Sequence, residues 1–259
     1  MLSESSLTAI RKIPPALKKP VRVIIFTTDT ACASCPDMVD LGREIKKHFG
    51  KIALEIYDVV MDRDKARQYG VKLTPSLVVQ GGEGQAVTFS GYIEDVALDM
   101  LLDTIKSLGD AKIWFPENIV RALQQLAHDV RVRVFVESDC TRCRPVAETA
   151  IGMALTSSFI YADIVVASEF PDLVKKYGIT SLPKTIFGEN LHLDGHVPEG
   201  QFIEMVFQTE GVKPGPGRRC IICGNASPDI ICAHCKARVE AEAREHKLKS
   251  EKTKHSETL

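Results

Sequence analysis

Moved along itself by 108 residues, the sequence meets its own chemistry again: Cys32 falls on Cys140, Cys35 on Cys143, Tyr69 on Tyr177, Gly70 on Gly178 and Pro75 on Pro183. From the cysteines to the prolines the register holds without a gap, and "QYGVKLTPSLVV" lies beside "KYGITSLPKTIF" with apolar residues in matching places. Beyond the prolines "LVVQGGEGQAVTFSG" shortens to "TIFGENLHLDG", as a duplicated hairpin with a trimmed turn would. Whatever this chain folds into, it must build one arrangement twice.

Each copy has the same order of elements. In the first, "VRVIIFT" has the composition of a buried strand, residues 33–49 have helical apolar spacing, "IALEIYDVV" is a second strand, and "DRDKARQYG" is a short helix ended by Gly70. "SLVVQ" and "AVTFS" flank "GGEG" as a hairpin, and residues 93–108 close the copy with a helix. The second copy repeats this with "RVRVFVE", a helix after Cys140, "FIYADIVV", a helix to Tyr177, a hairpin and a helix. The expectation is an α/β chain of two tandem thioredoxin-like units, over 1–110 and 111–212, each a mixed sheet flanked by helices.

A cysteine at a strand-to-helix turn faces unpaired backbone N–H groups and the positive end of the helix dipole, which favour thiolate over thiol. A second cysteine almost one turn on can attack the mixed disulfide that the first one forms. Cys32 and Cys140 are thus expected to attack, and Cys35 and Cys143 to resolve. Arg142 and Arg144 would lower the Cys140 thiol further, opposed in part by Asp139, whereas Cys32 has Asp29 and Asp37 nearby. Pro75 and Pro183 each lead into an apolar strand, where a cis bond at a tight bend is the economical reading. The chain just before them, at Thr74 and Leu182, would offer backbone groups to an extended peptide substrate.

Two fused units, each with its own cysteine pair and proline motif, resemble the protein disulfide oxidoreductases of archaea and some bacteria, also described as glutaredoxin-like proteins. "CASCPDMV" also resembles the cysteine motif in the N-terminal domain of the alkyl hydroperoxide reductase flavoprotein. The resemblance covers about residues 1–212. It implies reversible dithiol–disulfide exchange on protein substrates, with a thioredoxin-reductase-like flavoprotein as partner. The dipeptides between the cysteines, Ala33-Ser34 and Thr141-Arg142, depart from the family's usual proline-aromatic or glutamine-aromatic pair. Thioredoxin's buried aspartate, six residues before its first cysteine, is replaced by Phe26 and Val134. Another group, or water, must then take the resolving thiol's proton.

The remaining four of the eight cysteines follow a Gly/Pro linker, "GVKPGPGRR", in "CIICGNASPDIICAHCK". Cys220, Cys223, Cys232 and Cys235 have the spacing of two knuckles that close around one tetrahedral ion, and thiolates select zinc over harder ions, with iron as the alternative. Residues 213–259 form the third part, a zinc ribbon over 220–235 and a polar helical tail. They hold ten Lys/Arg and six Asp/Glu, which suits an acidic protein partner. The absence of an aromatic stacking platform argues against nucleic acid.

The whole-chain formal charge of -1 gives no reason to expect nucleic acid or membrane, and no apolar run approaches a spanning helix. The N-terminal stretch, interrupted by Pro14, Pro15 and charges, lacks the apolar core of a signal peptide, so a cytoplasmic location is expected. "GGEG" has no Lys-Ser/Thr after it and is read as a turn; no nucleotide or flavin site is expected. His48, His128, His192, His196 and His234 read as surface or capping residues, and Asp58 as a strand-end aspartate. An electron shuttle to a peroxidase, or a zinc-bearing redox-sensing adaptor, are the competing functions.

Overall fold

The computed structural model describes residues 2–82, 84–112 and 114–256, with side chains omitted for residues 243 and 246–256; Glu83 of the "GGEG" turn therefore lies outside the described residues. After the N-terminal helix α1 (Glu4–Lys12), the first unit runs β1 (Val21–Thr27), α2 (Cys35–His48), β2 (Ile52–Asp58), α3 (Arg63–Tyr69), β3 (Ser76–Gln80), β4 (Ala86–Ser90) and α4 (Asp95–Asp110). The second runs α5 (Glu117–Leu123), β5 (Val130–Val136), α6 (Arg144–Thr156), β6 (Ile160–Val166), a 3-10 turn (Ala167–Glu169), α7 (Pro171–Lys176), β7 (Lys184–Phe187), β8 (Leu191–Asp194) and α8 (Glu199–Thr209). A last helix, α9 (Ala233–Ser256), carries the polar tail.

The two units share one sheet of eight strands in the order β2-β1-β3-β4-β6-β5-β7-β8. The junction is the parallel pair β4 and β6, from Val87 opposite Ala162 to Ser90 opposite Val165. Following the pairings across the sheet, β1 and β5 point the same way, so the turns that carry both cysteine pairs open at one edge. Strand alternation then sets the layers. Val21, Val23 and Ile25 face one broad core with Met38 and Leu41 of α2, Leu98 and Leu101 of α4, Val146 and Ile151 of α6, and Phe202 and Ile203 of α8. Ile24 and Phe26 face the opposite side, under Ala66 and Tyr69 of α3. Phe135 and Val165 do the same under Leu173 and Tyr177 of α7.

Upstream of the cysteines the repeat slips by one residue. Ile52 and Ile160 are 108 apart, yet their partners Val21 and Val130 are 109 apart. The first unit therefore spends one more residue between its strand and its cysteines, in a loop where Ala31 has φ 51°. Phe26 and Val134, equally distant from their cysteines, face opposite sides of the sheet. The residues beneath the cysteine-bearing helices are instead Ile25 and Val134, both fully buried. Neither offers a proton acceptor.

Candidate functional site

Each cysteine pair is closed as a disulfide, with Cα atoms 5.4 Å apart for Cys32–Cys35 and 5.3 Å for Cys140–Cys143. The helices start where the disulfides do: the Cys35 N–H donates to the Cys32 carbonyl and the Cys143 N–H to the Cys140 carbonyl. A proline at the start of each helix, Pro36 or Pro145, has no N–H to leave unpaired there. Cys32 and Cys140 are partly exposed, while Cys35 and Cys143 are buried. A sulfur that solvent and substrate can reach thus sits beside one that only its neighbour can reach.

The prolines lie at the same edge. The Thr74–Pro75 and Leu182–Pro183 bonds are both cis, and both proline rings are buried. Ser76 and Lys184, which follow them, pair with Phe26 and Phe135 near the ends of β1 and β5. The Pro75 carbonyl accepts the Gly91 N–H and the Pro183 carbonyl the Gly195 N–H, so each bend is pinned to the far strand of its hairpin.

Charges around the pairs are arranged differently from the simple expectation. Arg144 does not face Cys140 as a free cation: its guanidinium reaches Asp103 at 2.6 Å and Asp99 at 3.6 Å on α4, and Glu148 at 2.7 Å. Arg142 is exposed. Asp58 is a strand-end residue, whose carboxyl is held below its usual range by the N–H groups of Met61 and Val60. His48 caps a neighbouring loop, its Nε2 lying 2.7 Å from the Ile13 carbonyl.

Sequence reasoning missed one connection between the units. Ser34, inside the first cysteine pair, donates its hydroxyl to the Glu169 carboxylate of the second unit at 2.7 Å. The only sequence signal is an asymmetry of the repeat, since the residue 108 positions before Glu169 is Met61, which is 83 % exposed. Glu169 also lines a cleft of about 260 Å³ between the units, with Tyr92, Glu94, Asp95, Glu137 and Asp139.

The thioredoxin-domain family matches residues 21–98 and again 130–208, more than half of the chain. The chain belongs to that family. Over 62 residues it is 39% identical to the probable thioredoxin of Methanothermobacter thermautotrophicus, covering 24% of this chain and 72% of that protein. The two-unit architecture is similar to a protein disulfide oxidoreductase from Aeropyrum pernix, with a TM-score of 0.72 and 24% identity over 82% of this chain and 95% of that one. It is also similar to an alkylhydroperoxide reductase component from Enterococcus faecalis, with a TM-score of 0.70 and 22% identity over 79% of this chain and 99% of that one. With its two Cys-x-x-Cys pairs already in disulfide geometry, this thioredoxin-family protein is a dithiol–disulfide oxidoreductase.

The second cluster is of another kind. The four Sγ atoms of Cys220, Cys223, Cys232 and Cys235 lie within 4.8 Å of one another, unbonded. Cys223 and Cys232 are 3.7 Å apart at sulfur, close to the edge of about 3.8 Å in a tetrahedron with 2.3 Å metal–sulfur bonds. Burial opposes ionisation of Cys220, but the N–H groups of Cys232, Cys223 and Ile222 outweigh it and bring that thiol down to about 7. Cys235 is pushed up by burial and by hydrogen bonds to Cys223, Cys232 and Cys220. One cage cannot hold four anionic sulfurs without a cation, and this donor set fits a metal ion.

The cluster is seated on the second unit. Ile230, Ile231 and Val239 are buried in the same core as α8. The Glu204 carboxylate on α8 accepts the Ile231 N–H at 2.9 Å and pairs with Lys236 at 2.9 Å. Gly200 allows the close crossing, because a Cβ there would press on the Lys236 backbone and stem.

Proposed function

We propose that the chain exchanges dithiols for disulfides in protein substrates through Cys32/Cys35 and Cys140/Cys143. The observation that supports this best is the pairing, twice at one sheet edge, of a partly exposed sulfur with a buried one. In the reducing direction the Cys32 or Cys140 thiolate attacks a substrate disulfide, forming a mixed disulfide and releasing one substrate thiolate. Cys35 or Cys143 then attacks the mixed disulfide, so two electrons pass to substrate and the pair closes. Thr74-Pro75 and Leu182-Pro183 would align an extended substrate peptide beside each pair. A thioredoxin-reductase-like flavoprotein would reopen the disulfides.

The reading divides the chain at 110/111 and 212/213, gives Cys220, Cys223, Cys232 and Cys235 one structural zinc ion, and places the protein in the cytoplasm. Among the described residues no helix is long and apolar enough to cross a membrane. The polar tail would meet an acidic protein partner. The likeness in fold to an alkylhydroperoxide reductase component supports a second reading, delivery of electrons to a peroxidase. Trapping separates these. Cys35→Ser and Cys143→Ser should each accumulate mixed disulfides with an added protein disulfide such as insulin, and the native chain should reduce insulin when supplied with dithiothreitol. Trapping of a peroxidase but not of insulin would favour the shuttle; redox-dependent complexes without turnover would overturn both in favour of an adaptor.

A further inference from the structure

We propose that Glu169 of the second unit is a positioning residue for the first unit's dithiol, holding Ser34 and keeping the Cys32 thiol less acidic than its helix N-terminus alone would make it. The inference rests on the reading of Cys32/Cys35 as a working pair. Ser34 lies inside the ring that the disulfide closes, and its hydroxyl makes no capping bond to α2. It is given instead to the Glu169 carboxylate, 2.7 Å away on the other unit.

The carboxylate is held there by contacts of its own. Its stem packs on Gly91, where a Cβ would stand 3.0 Å from the Glu169 Cγ, and the Gly91 N–H is bound to the Pro75 carbonyl. The turn that carries Glu169 is fixed by its neighbour Ser168, which donates its N–H and its hydroxyl to Glu137 at 3.1 and 2.7 Å. Glu137 in turn accepts the Cys140 N–H at its carbonyl. A chain of hydrogen bonds and sequence neighbours thereby runs from the Cys140 turn to Ser34.

The electrostatic sign follows from the inventory of charges. Glu94 and Asp95 at the head of α4, and Glu137 and Asp139 before Cys140, line the cleft with Glu169, and no lysine or arginine is among its described lining residues. Asp37 on α2 acts on Tyr92 in the same cleft, while the Asp58 carboxylate accepts a backbone hydrogen bond from Asp29. A carboxylate bonded to residue 34 lies within a Debye length, about 10 Å at 0.1 M salt, of the adjacent sulfurs, where like charge disfavours thiolate. The second unit has Arg142 in place of Ser34, a cation where the first unit has a hydroxyl.

The test is peptide-resolved alkylation of the reduced, metal-loaded full chain by limiting iodoacetamide from pH 5 to 9. Glu169→Gln keeps an acceptor for Ser34 and removes the charge. It should lower the half-labelling pH of Cys32 by about 0.5, about threefold in rate below the midpoint, leave Cys140 in place, and lose the effect in 1 M salt. Ser34→Ala, which frees the carboxylate to swing away, should move Cys32 in the same direction, and the double variant should add nothing to the larger shift. An unmoved Cys32 profile in both single variants, or an equal shift at Cys140, overturns the proposal. Because alkylation reads the thiol directly, a failure of insulin reduction would strike the proposed function and leave this result standing.

Discussion

Gly42 on α2 lies directly over Ile25 on β1: a Cβ at residue 42 would run into the Ile25 Cδ1 and stand 3.2 Å from the Leu54 Cδ1. The second unit fills the corresponding place with Ala150 and Val134, one carbon more on the helix and one fewer on the strand. Gly42→Ala should therefore overpack the floor of the first dithiol helix and cost about 1–3 kcal/mol. Adding Ile25→Val should recover part of that loss. Strict additivity of the two changes in urea unfolding would show that the residues do not compete for this volume.

The same pair shows how much of the fold could be read from sequence. Strands β1, β3 and β4 coincide with their apolar runs, and Gly70 ends α3 in the left-handed conformation that its position implied. The four dithiol cysteines and both cis prolines were legible because their chemistry forces spacing. The slip from 108 to 109 was not, because "VRVIIFT" is buried on both faces and carries no alternation to reveal which residue faces α2. Helix α1 does have a local signal, since Ser3 of "SESS" caps it by accepting the Ser6 N–H. The β4–β6 junction and the Ser34–Glu169 bond depend on how two units meet, which no local pattern encodes. Nor did the linker reveal that the four-cysteine module rests on α8.

That seating leads to a second expectation. Glu204 satisfies an N–H and a cation at once, so Glu204→Ala should leave the Ile231 N–H without its acceptor and Lys236 with only Asp229, and cost about 1–3 kcal/mol. Glu204→Gln, which can still accept the N–H, should lose less. Thermal unfolding of the full chain checks the order, and a Glu204→Ala midpoint equal to the native one would mean that the module is only loosely attached.

Metal content gives a third. Elemental analysis should find one zinc per chain, and Cys220→Ser or Cys235→Ser, which remove the buried ligands, should abolish it. Because the ligands bind as thiolates, acid must reprotonate them to release the ion, so affinity should fall steadily as pH drops. Loss of metal should also lower the unfolding temperature of the second unit, since Ile230, Ile231 and Val239 share its core. Full metal retention in both serine variants would remove these sulfurs from the site.

The last expectation ranks the two attacking thiols. Both stand at helix N-termini, so their difference is set by side-chain charge. Arg144 brings no net positive charge, because it is bound among Asp99, Asp103 and Glu148; Arg144→Ala would leave those carboxylates uncompensated and should loosen the α4–α6 packing and raise the Cys140 labelling pH. Arg142 is exposed and screened, yet it is a cation between the two cysteines, whereas Cys32 has the Glu169 carboxylate bonded to the residue between its own. Cys140 should therefore be alkylated before Cys32 near pH 6. Arg142→Ala should raise the half-labelling pH of Cys140 and narrow the gap, because removing a nearby cation takes away an interaction that only the thiolate enjoys. If Cys32 labels first in the native chain, or if Arg142→Ala leaves Cys140 unmoved, burial and access rather than charge would rank the two sites.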